Sequence, residues 1–323
     1  MKKRLLRNLE VSSLGLGCWG MSHSYGRADE KESIETIHKA FDLGINFFDT
    51  ADIYGLGENE KIVGKALKDK RQNVIIASKF GFYEKNNSTL GVNGEPEYVR
   101  KACEASLKRL SVDFIDLYYL HRVDKEVAIE DTLGAMSELV TEGKVRFLGI
   151  SEASSKTIRK ANSVHPITAL QSEYSLWTRD IEKEILTTCK DLNIGFVAFS
   201  PLGRGFLTGQ MKHLDKLDDD DFRKNLPRFQ KENLEKNLVL LRELEKIAKE
   251  NNIKLSQLAL NWLFKRGDNI VPIPGTKRIN YLQENIDSVG INLNKESIER
   301  ISNIIKDFTG SRYSETGMTF LDL

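Results

Sequence analysis

The sequence predicts an α/β protein, a single (β/α)8 TIM-type barrel domain spanning residues 1–323. Three observations lead there. Short runs rich in β-branched and aromatic residues alternate with amphipathic stretches along nearly the whole chain, the pattern of successive βα units. Most of these runs are continuously apolar, as strands buried on both faces are, so a parallel sheet covered by helices is indicated. Eight such runs favour closure into a barrel over an open doubly wound sheet. The lack of a G-x-G-x-x-G joining a strand to a helix points the same way.

In chain order the predicted strands are 14–17, 45–48, 74–77, 114–120, 146–150, 169–171, 196–199 and 270–273. Helical segments, with apolar residues three and four apart, are predicted at 33–43, 59–67, 96–110, 129–140 and 181–192. Gly44 and Gly143 follow two of these as C-terminal caps. A polar stretch from Gly203 to Leu234, containing Asp218 to Asp221 and Pro227, reads as a large loop after the seventh strand. The segment from Gly81 to Gly94, with Asn86, Asn87 and Asn93 among its glycines, reads as a mobile loop. Residues 307–323 lack clear periodicity and are expected to form a flap over the barrel mouth.

Lys and Arg total 48 against 47 Asp and Glu, a net charge of +1. No bulk field therefore draws the molecule to nucleic acid or membrane, and any anion must be caught locally. No apolar run has the length of a spanning helix and the basic start Met1-Lys2-Lys3-Arg4 leads into no signal-peptide core, so a cytoplasmic location is expected. The three cysteines, Cys18, Cys103 and Cys189, are scattered, with no C-x-x-C pair and no histidine at ligand spacing. Neither a disulfide framework nor a metal site is expected. Cys18 lies in a Gly-rich turn, where it reads as a small buried filler, with contact to a ligand as the alternative.

In a barrel of this type chemistry sits on the loops after the C-terminal ends of the strands. The residues at those places are Asp49, Lys79, His121, Ser151, Gln171, Ser200 and Gly275-Thr276, with Tyr54 five positions beyond Asp49. Asp49, Tyr54, Lys79 and His121 come from three consecutive strands and are expected to converge at one rim. Together they make a coherent acid. A phenol titrates near 10, a neighbouring ammonium lowers that value, and Lys79 supplies the charge. Asp49 keeps Lys79 protonated, while His121 orients a substrate oxygen or relays a proton.

The chain resembles the aldo-keto reductase superfamily, in particular the branch of bacterial, fungal and plant reductases related to pyridoxal reductase. The likeness runs from Leu14-Gly-Leu-Gly-Cys-Trp-Gly-Met-Ser to about Asn285. It is carried by Asn46-Phe-Phe-Asp-Thr-Ala-Asp-Ile-Tyr-Gly, Ser106-Leu-Lys-Arg-Leu, Ile115-Asp-Leu-Tyr-Tyr-Leu-His-Arg, Gly143-Lys-Val-Arg, Gln171-Ser-Glu-Tyr-Ser, Ser200-Pro-Leu-Gly-Arg-Gly and Pro274-Gly-Thr-Lys-Arg. The resemblance implies a catalytic tetrad of Asp49, Tyr54, Lys79 and His121, with the tyrosine as general acid in reduction of an aldehyde or ketone by NADPH. It implies cofactor contacts at Gly17, Cys18, Trp19 and Asp49 and places Ser151 and Gln171 near the carboxamide, with Phe199 under the nicotinamide. Ser200, Pro201, Leu202, Gly203, Arg204 and Gly205 would cradle the pyrophosphate.

Glu152 stands where many members carry asparagine. After the eighth strand Gly275 leads into Thr276-Lys277-Arg278, a short basic turn that, with Glu284 and Asn285 following, suits the 2′-phosphate distinguishing NADPH from NADH. Trp19, Tyr25, Phe82, Trp177 and Tyr313 are candidates for an apolar substrate pocket.

Two other readings are open. A Schiff-base lyase would use Lys79 as its nucleophile, but Asp49 and Tyr54 would keep that lysine charged. A non-catalytic, NADPH-binding regulatory subunit is possible on the same fold, against which stands the intact tetrad. The expected partner is a small carbonyl compound, with self-association into a homo-oligomer open.

Overall fold

The computed structural model describes residues 1–22, 25–86, 89–211, 217–219 and 221–322. Its centre is an eight-stranded parallel sheet in sequential order. The strands are β1 (Leu16–Gly17), β2 (Phe47–Asp49), β3 (Ile75–Phe80), β4 (Ile115–Leu120), β5 (Val145–Ser151), β6 (Ile167–Glu173), β7 (Gly195–Phe199) and β8 (Ile270–Pro272). A parallel bridge between Gly17 and Gly275 joins the first strand to the last. The Gly15 and Gly17 amides donate to the carbonyls of Pro272 and Pro274 at 3.0 and 3.3 Å. All eight predicted strands are present, and the closed (β/α)8 barrel is the fold.

Helices α1 (Glu30–Asp42), α2 (Glu58–Leu67), α3 (Pro96–Leu110), α4 (Ile129–Thr141), α5 (Ser155–Val164) and α6 (Ile185–Asp191) follow the first six strands. α7 (Lys231–Glu250) and α8 (Leu255–Phe264) lie between β7 and β8, and α9 (Ile279–Asp287), α10 (Lys295–Ile304) and α11 (Glu315–Thr319) complete the chain. Gly44 and Gly143 take positive φ just past α1 and α4, the left-handed step that ends a helix without a Cβ clash.

Period-two alternation along each strand divides the core in two. Phe48, Ile76, Phe80, Tyr118, Leu148, Leu170, Phe196 and Ile270 face the helices. Phe47, Ala77, Leu117, Tyr119, Ala169, Val197 and Val271 fill the barrel interior. Gly149 makes room for one of them, since a Cβ there would stand 2.3 Å from the Tyr119 ring.

An antiparallel hairpin, Lys3–Leu6 with Leu9–Ser12, was absent from the sequence reading. It closes the N-terminal end of the barrel. Leu6, Leu9 and Val11 join the interior cluster, and the Arg4 guanidinium donates to carbonyls that precede or begin β8.

Two loops differ from expectation. The predicted loop at 81–94 forms a β-hairpin, Phe82–Asn86 with Thr89–Val92, pairing Phe82 with Val92 and Glu84 with Leu90. Asn87 lies outside the described residues. The predicted loop at 203–234 folds into helical turns at Gly203–Thr208, Phe222–Asn225 and Pro227–Phe229, and α7 begins at Lys231. Leu234, Leu241, Leu244 and Ile247 line one face of α7 and bury it. Residues 212–216 and 220 of that loop lie outside the described residues. Among the described residues no helix is long and apolar enough to cross a membrane, and no cluster of potential metal ligands occurs.

Candidate active site

The alternation that fills the barrel also aims the polar residues. Asp49 follows Phe47 by two, Lys79 follows Ala77, and His121 follows Tyr119, so each continues an inward-facing row to the C-terminal rim. Ser151, Gln171, Phe199 and Gly275 continue the rows of Gly149, Ala169, Val197 and Ile273 in the same way. β3 and β6 run longer than predicted, so Lys79 and Gln171 sit inside strands, where the sheet holds their backbone fixed.

At the rim Lys79 is wholly buried. Its Nζ donates to Asp49 Oδ1 at 2.5 Å, to the Thr50 carbonyl at 2.8 Å and to the Tyr54 hydroxyl at 3.3 Å. Gln171 Nε2 donates to the other Asp49 oxygen at 2.7 Å. The Tyr54 and His121 rings meet edge to face with centroids 5.9 Å apart. All four tetrad candidates therefore come together.

Their electrostatics differ in one respect from the sequence reading. Burial works against the Lys79 charge, but Asp49 and Tyr54 outweigh it and hold the ammonium above its usual range. Burial pushes the Asp49 carboxyl up, opposed by Lys79 and Gln171. For Tyr54 burial is again the largest influence and leaves the phenol above 10, although Lys79 pulls the other way. The expectation that Lys79 brings Tyr54 below its ordinary value is thus corrected, because a buried phenolate loses more hydration than one ammonium returns. His121 is held well below the imidazole range by burial, then by Arg122 and Lys79, and is neutral. Its Nδ1 is buried without a hydrogen-bond partner.

A cavity of about 1960 Å³ opens over this cluster. Gly17, Trp19, Asp49, Tyr54, His121, Ser151, Gln171, Phe199, Ser200, Pro201, Leu202, Arg204, Gly205, Gly275, Thr276, Lys277, Arg278, Glu284 and Asn285 line it, as do Tyr25, Phe82 and Tyr313. Besides the wholly buried Lys79, three candidates do not. Cys18 is fully buried, its thiol pointing to the Leu16 carbonyl, and Gly203 is buried beneath Trp177 and Leu207. Trp177 packs into an aromatic core with Phe206 at 4.2 Å, Phe229 at 5.3 Å and Phe308 at 5.8 Å.

Past β7 the backbone takes left-handed φ at Ser200 (48°), Gly203 (56°), Arg204 (56°) and Gly205 (94°). Within this turn the Gly203 and Gly205 amides donate to the Ser200 and Leu202 carbonyls at 2.9 and 3.0 Å, and two of the four left-handed residues bear the cost of a Cβ. The Arg204 side chain is already engaged, donating to the Tyr25 hydroxyl at 3.1 Å and pairing with Glu173 at 3.4 Å. Lys277 Nζ donates to the carbonyls of Tyr25, Gly26 and Arg27, whereas the exposed Arg278 guanidinium makes no hydrogen bond or ion pair among the described residues. Glu284 pairs with Lys254 at 2.6 Å and accepts from the Ser256 hydroxyl.

Glu152, the departure from the family pattern, has its own use. It grips Arg312 through two hydrogen bonds of 2.8 and 2.7 Å, and its carbonyl accepts from the Asp322 amide at 3.2 Å. This fastens the C-terminal segment across the mouth, where Tyr313 and Phe320 join the cavity wall. The sequence reading anticipated a flap there but not its anchor, and it missed Arg122, Phe222, Arg223 and Phe320 among the lining residues. Arg122 was within reach, since it adjoins His121 at the end of β4.

The comparisons with known proteins agree with this geometry. The chain is 47% identical over 311 residues to "Probable aldo-keto reductase 1" of Glycine max, covering 95% of this chain and 90% of that protein. It superposes on the glycerol dehydrogenase of Gluconobacter oxydans with a TM-score of 0.85 at 30% identity, covering 95% of each chain. With the holo form of an aldo-keto reductase from Bacillus halodurans the TM-score is 0.79 at 28% identity, over 98% of this chain and 99% of that one. A model of the Aldo/keto reductase family matches residues 13–306. With nearly the whole chain matched and the fold shared, this protein belongs to the aldo/keto reductase family and is an oxidoreductase by that membership.

Proposed function

We propose that the chain reduces an aldehyde or ketone to the alcohol with NADPH, using Tyr54 as the general acid. The observation that carries the reading is the shared Lys79 ammonium, 2.5 Å from Asp49 and 3.3 Å from the Tyr54 hydroxyl. When bound, the nicotinamide ring supplies the hydride that reaches the carbonyl carbon. Tyr54, neutral because its pKa is raised, keeps its proton until negative charge develops on the carbonyl oxygen. Lys79 then stabilises the phenolate left behind, and Asp49 keeps Lys79 charged and in place. A neutral His121 can donate one N–H to the same oxygen, which supports orientation rather than proton supply as its part. The residues suit the cofactor: Ser200, Pro201, Leu202, Arg204 and Gly205 line the cavity as expected for the pyrophosphate, and Arg278 is an uncommitted cation beside Thr276 for a 2′-phosphate.

A lyase acting through a Lys79 Schiff base is disfavoured, since nucleophilic lysine must be neutral and this one is held charged. NADPH oxidation followed at 340 nm against a panel of carbonyls tests the reading. Tyr54→Phe is expected to slow turnover by roughly a hundred- to ten-thousand-fold while NADPH still binds. Full activity in that variant would end the assignment, and NADPH binding with no turnover by the native chain would favour the regulatory alternative. Lys277→Ala combined with Arg278→Ala is expected to raise the KM for NADPH far more than that for NADH; equal effects would remove these residues from cofactor choice.

A further inference from the structure

Four buried guanidiniums, those of Arg122, Arg204, Arg228 and Arg312, gather on this side of the barrel mouth. Three have carboxylate partners: Arg204 and Arg228 share Glu173, at 3.4 and 2.9 Å, and Arg312 holds Glu152 at 2.7 Å. Arg122 has none among the described residues. It is 7% exposed and lines the cavity immediately after His121. Its Nη1 donates to the His121 carbonyl at 2.6 Å and to the Ser151 hydroxyl at 3.3 Å. Its Nη2 reaches only the Tyr313 hydroxyl at 3.5 Å, and its Nε has no acceptor. The Phe82 ring, 5.4 Å from the guanidinium carbon, offers a π-face in place of a counter-ion.

A buried cation without a carboxylate is costly, because desolvation is repaid only by neutral dipoles and one aromatic face. Such a group is retained where a ligand completes it. Arg122 follows β4 and adjoins His121, whereas the turn expected at the pyrophosphate follows β7. We propose that Arg122 forms an anion-binding subsite, and that the favoured carbonyl substrates carry a carboxylate or phosphate group alongside an apolar body packed between Trp19, Phe82 and Tyr313. The inference rests on the reductase reading and narrows its substrate class.

The test compares kcat/KM of the native enzyme with NADPH for 4-carboxybenzaldehyde, 4-formylphenyl phosphate and the neutral methyl 4-formylbenzoate. At least one anionic aldehyde is expected to be preferred over the ester, which also tells carboxylate from phosphate. In Arg122→Met that preference is expected to fall about tenfold or more, the usual cost of a lost hydrogen bond to a charged group. The loss should appear mainly in KM, and Arg122→Lys should restore part of it. Benzoate is expected to inhibit the native enzyme competitively at concentrations about tenfold below benzamide, a reading that stands even where a variant fails to fold. A native enzyme that reduces the ester as well as both anions, with benzoate and benzamide equal, would overturn the subsite and leave the reductase intact. Failure to reduce any of the three, or any other carbonyl, would instead strike the reading beneath it.

Discussion

At the scale of single residues, the site separates two proton carriers that a simple inspection would make interchangeable. Tyr54 has its proton held by burial, and His121 has lost its own to burial and to the charges of Arg122 and Lys79. A pH profile follows from these two directions. Reductive kcat is expected to stay level between about pH 7 and about pH 9, because the phenol titrates above 10 and the imidazole well below 6.5. A stopped kinetic series with saturating cofactor checks this, and a falling limb centred near neutrality would mean that His121, not Tyr54, supplies the proton. Asp49, Lys79 and His121 were legible in the sequence because each is a polar residue at the end of an apolar run. The pKa directions were not legible, since they depend on how much water the folded mouth excludes.

Among the elements, the C-terminal segment is anchored by a buried ion pair between Glu152 and Arg312. Glu152 has φ of 54°, a left-handed position that turns its side chain toward Arg312, and the Asp322 carboxylate accepts from the Ser154 amide and hydroxyl at 3.0 and 2.9 Å. Removing one partner of such a pair leaves the other charge buried and alone, at a cost of roughly 3–5 kcal/mol. Glu152→Gln is therefore expected to release residues 308–322 before the barrel opens. Hydrogen exchange should show faster exchange confined to that segment, and unchanged protection would show that Tyr313 and Phe320 hold it unaided. A sequence reading could mark Glu152 as standing where many relatives carry asparagine. It could not find a partner 160 residues away, because no local pattern records a contact made only when the mouth is closed.

For the whole molecule, the same charge network links stability to pH. Although burial alone would raise it, Glu173 lies below the usual carboxylate range because Arg228, Arg204 and Arg312 surround it. A depressed folded value means that the unfolded chain binds the proton more readily. The contribution is therefore complete above the unfolded value, near 4.3, and is lost as pH falls through the lower folded value. Chemical denaturation at a series of acidic pH values should show native stability falling more steeply below about pH 4.5 than that of Glu173→Gln, which lacks the titrating group. The variant should also be less stable at pH 7 by roughly 3–5 kcal/mol. Parallel slopes would mean that other carboxylates govern acid unfolding.

The sequence by itself determined the barrel, the order of its strands and the residues at their C-terminal ends, because these rest on local periodicity and on a parity that repeats every two residues. Tertiary structure alone decided the remainder. The N-terminal hairpin was hidden by its short strands, and its identity as the barrel floor appears only when Leu6 and Val11 meet the interior. Trp177 was a pocket candidate because it lies on a predicted rim loop, and packing places it in the core. Arg122 is distinguished from Arg204, Arg228 and Arg312, the other buried arginines of the mouth, by the carboxylate it lacks among the described residues. Absent partners, like long-range ones, are properties of the folded arrangement, and a linear pattern carries neither.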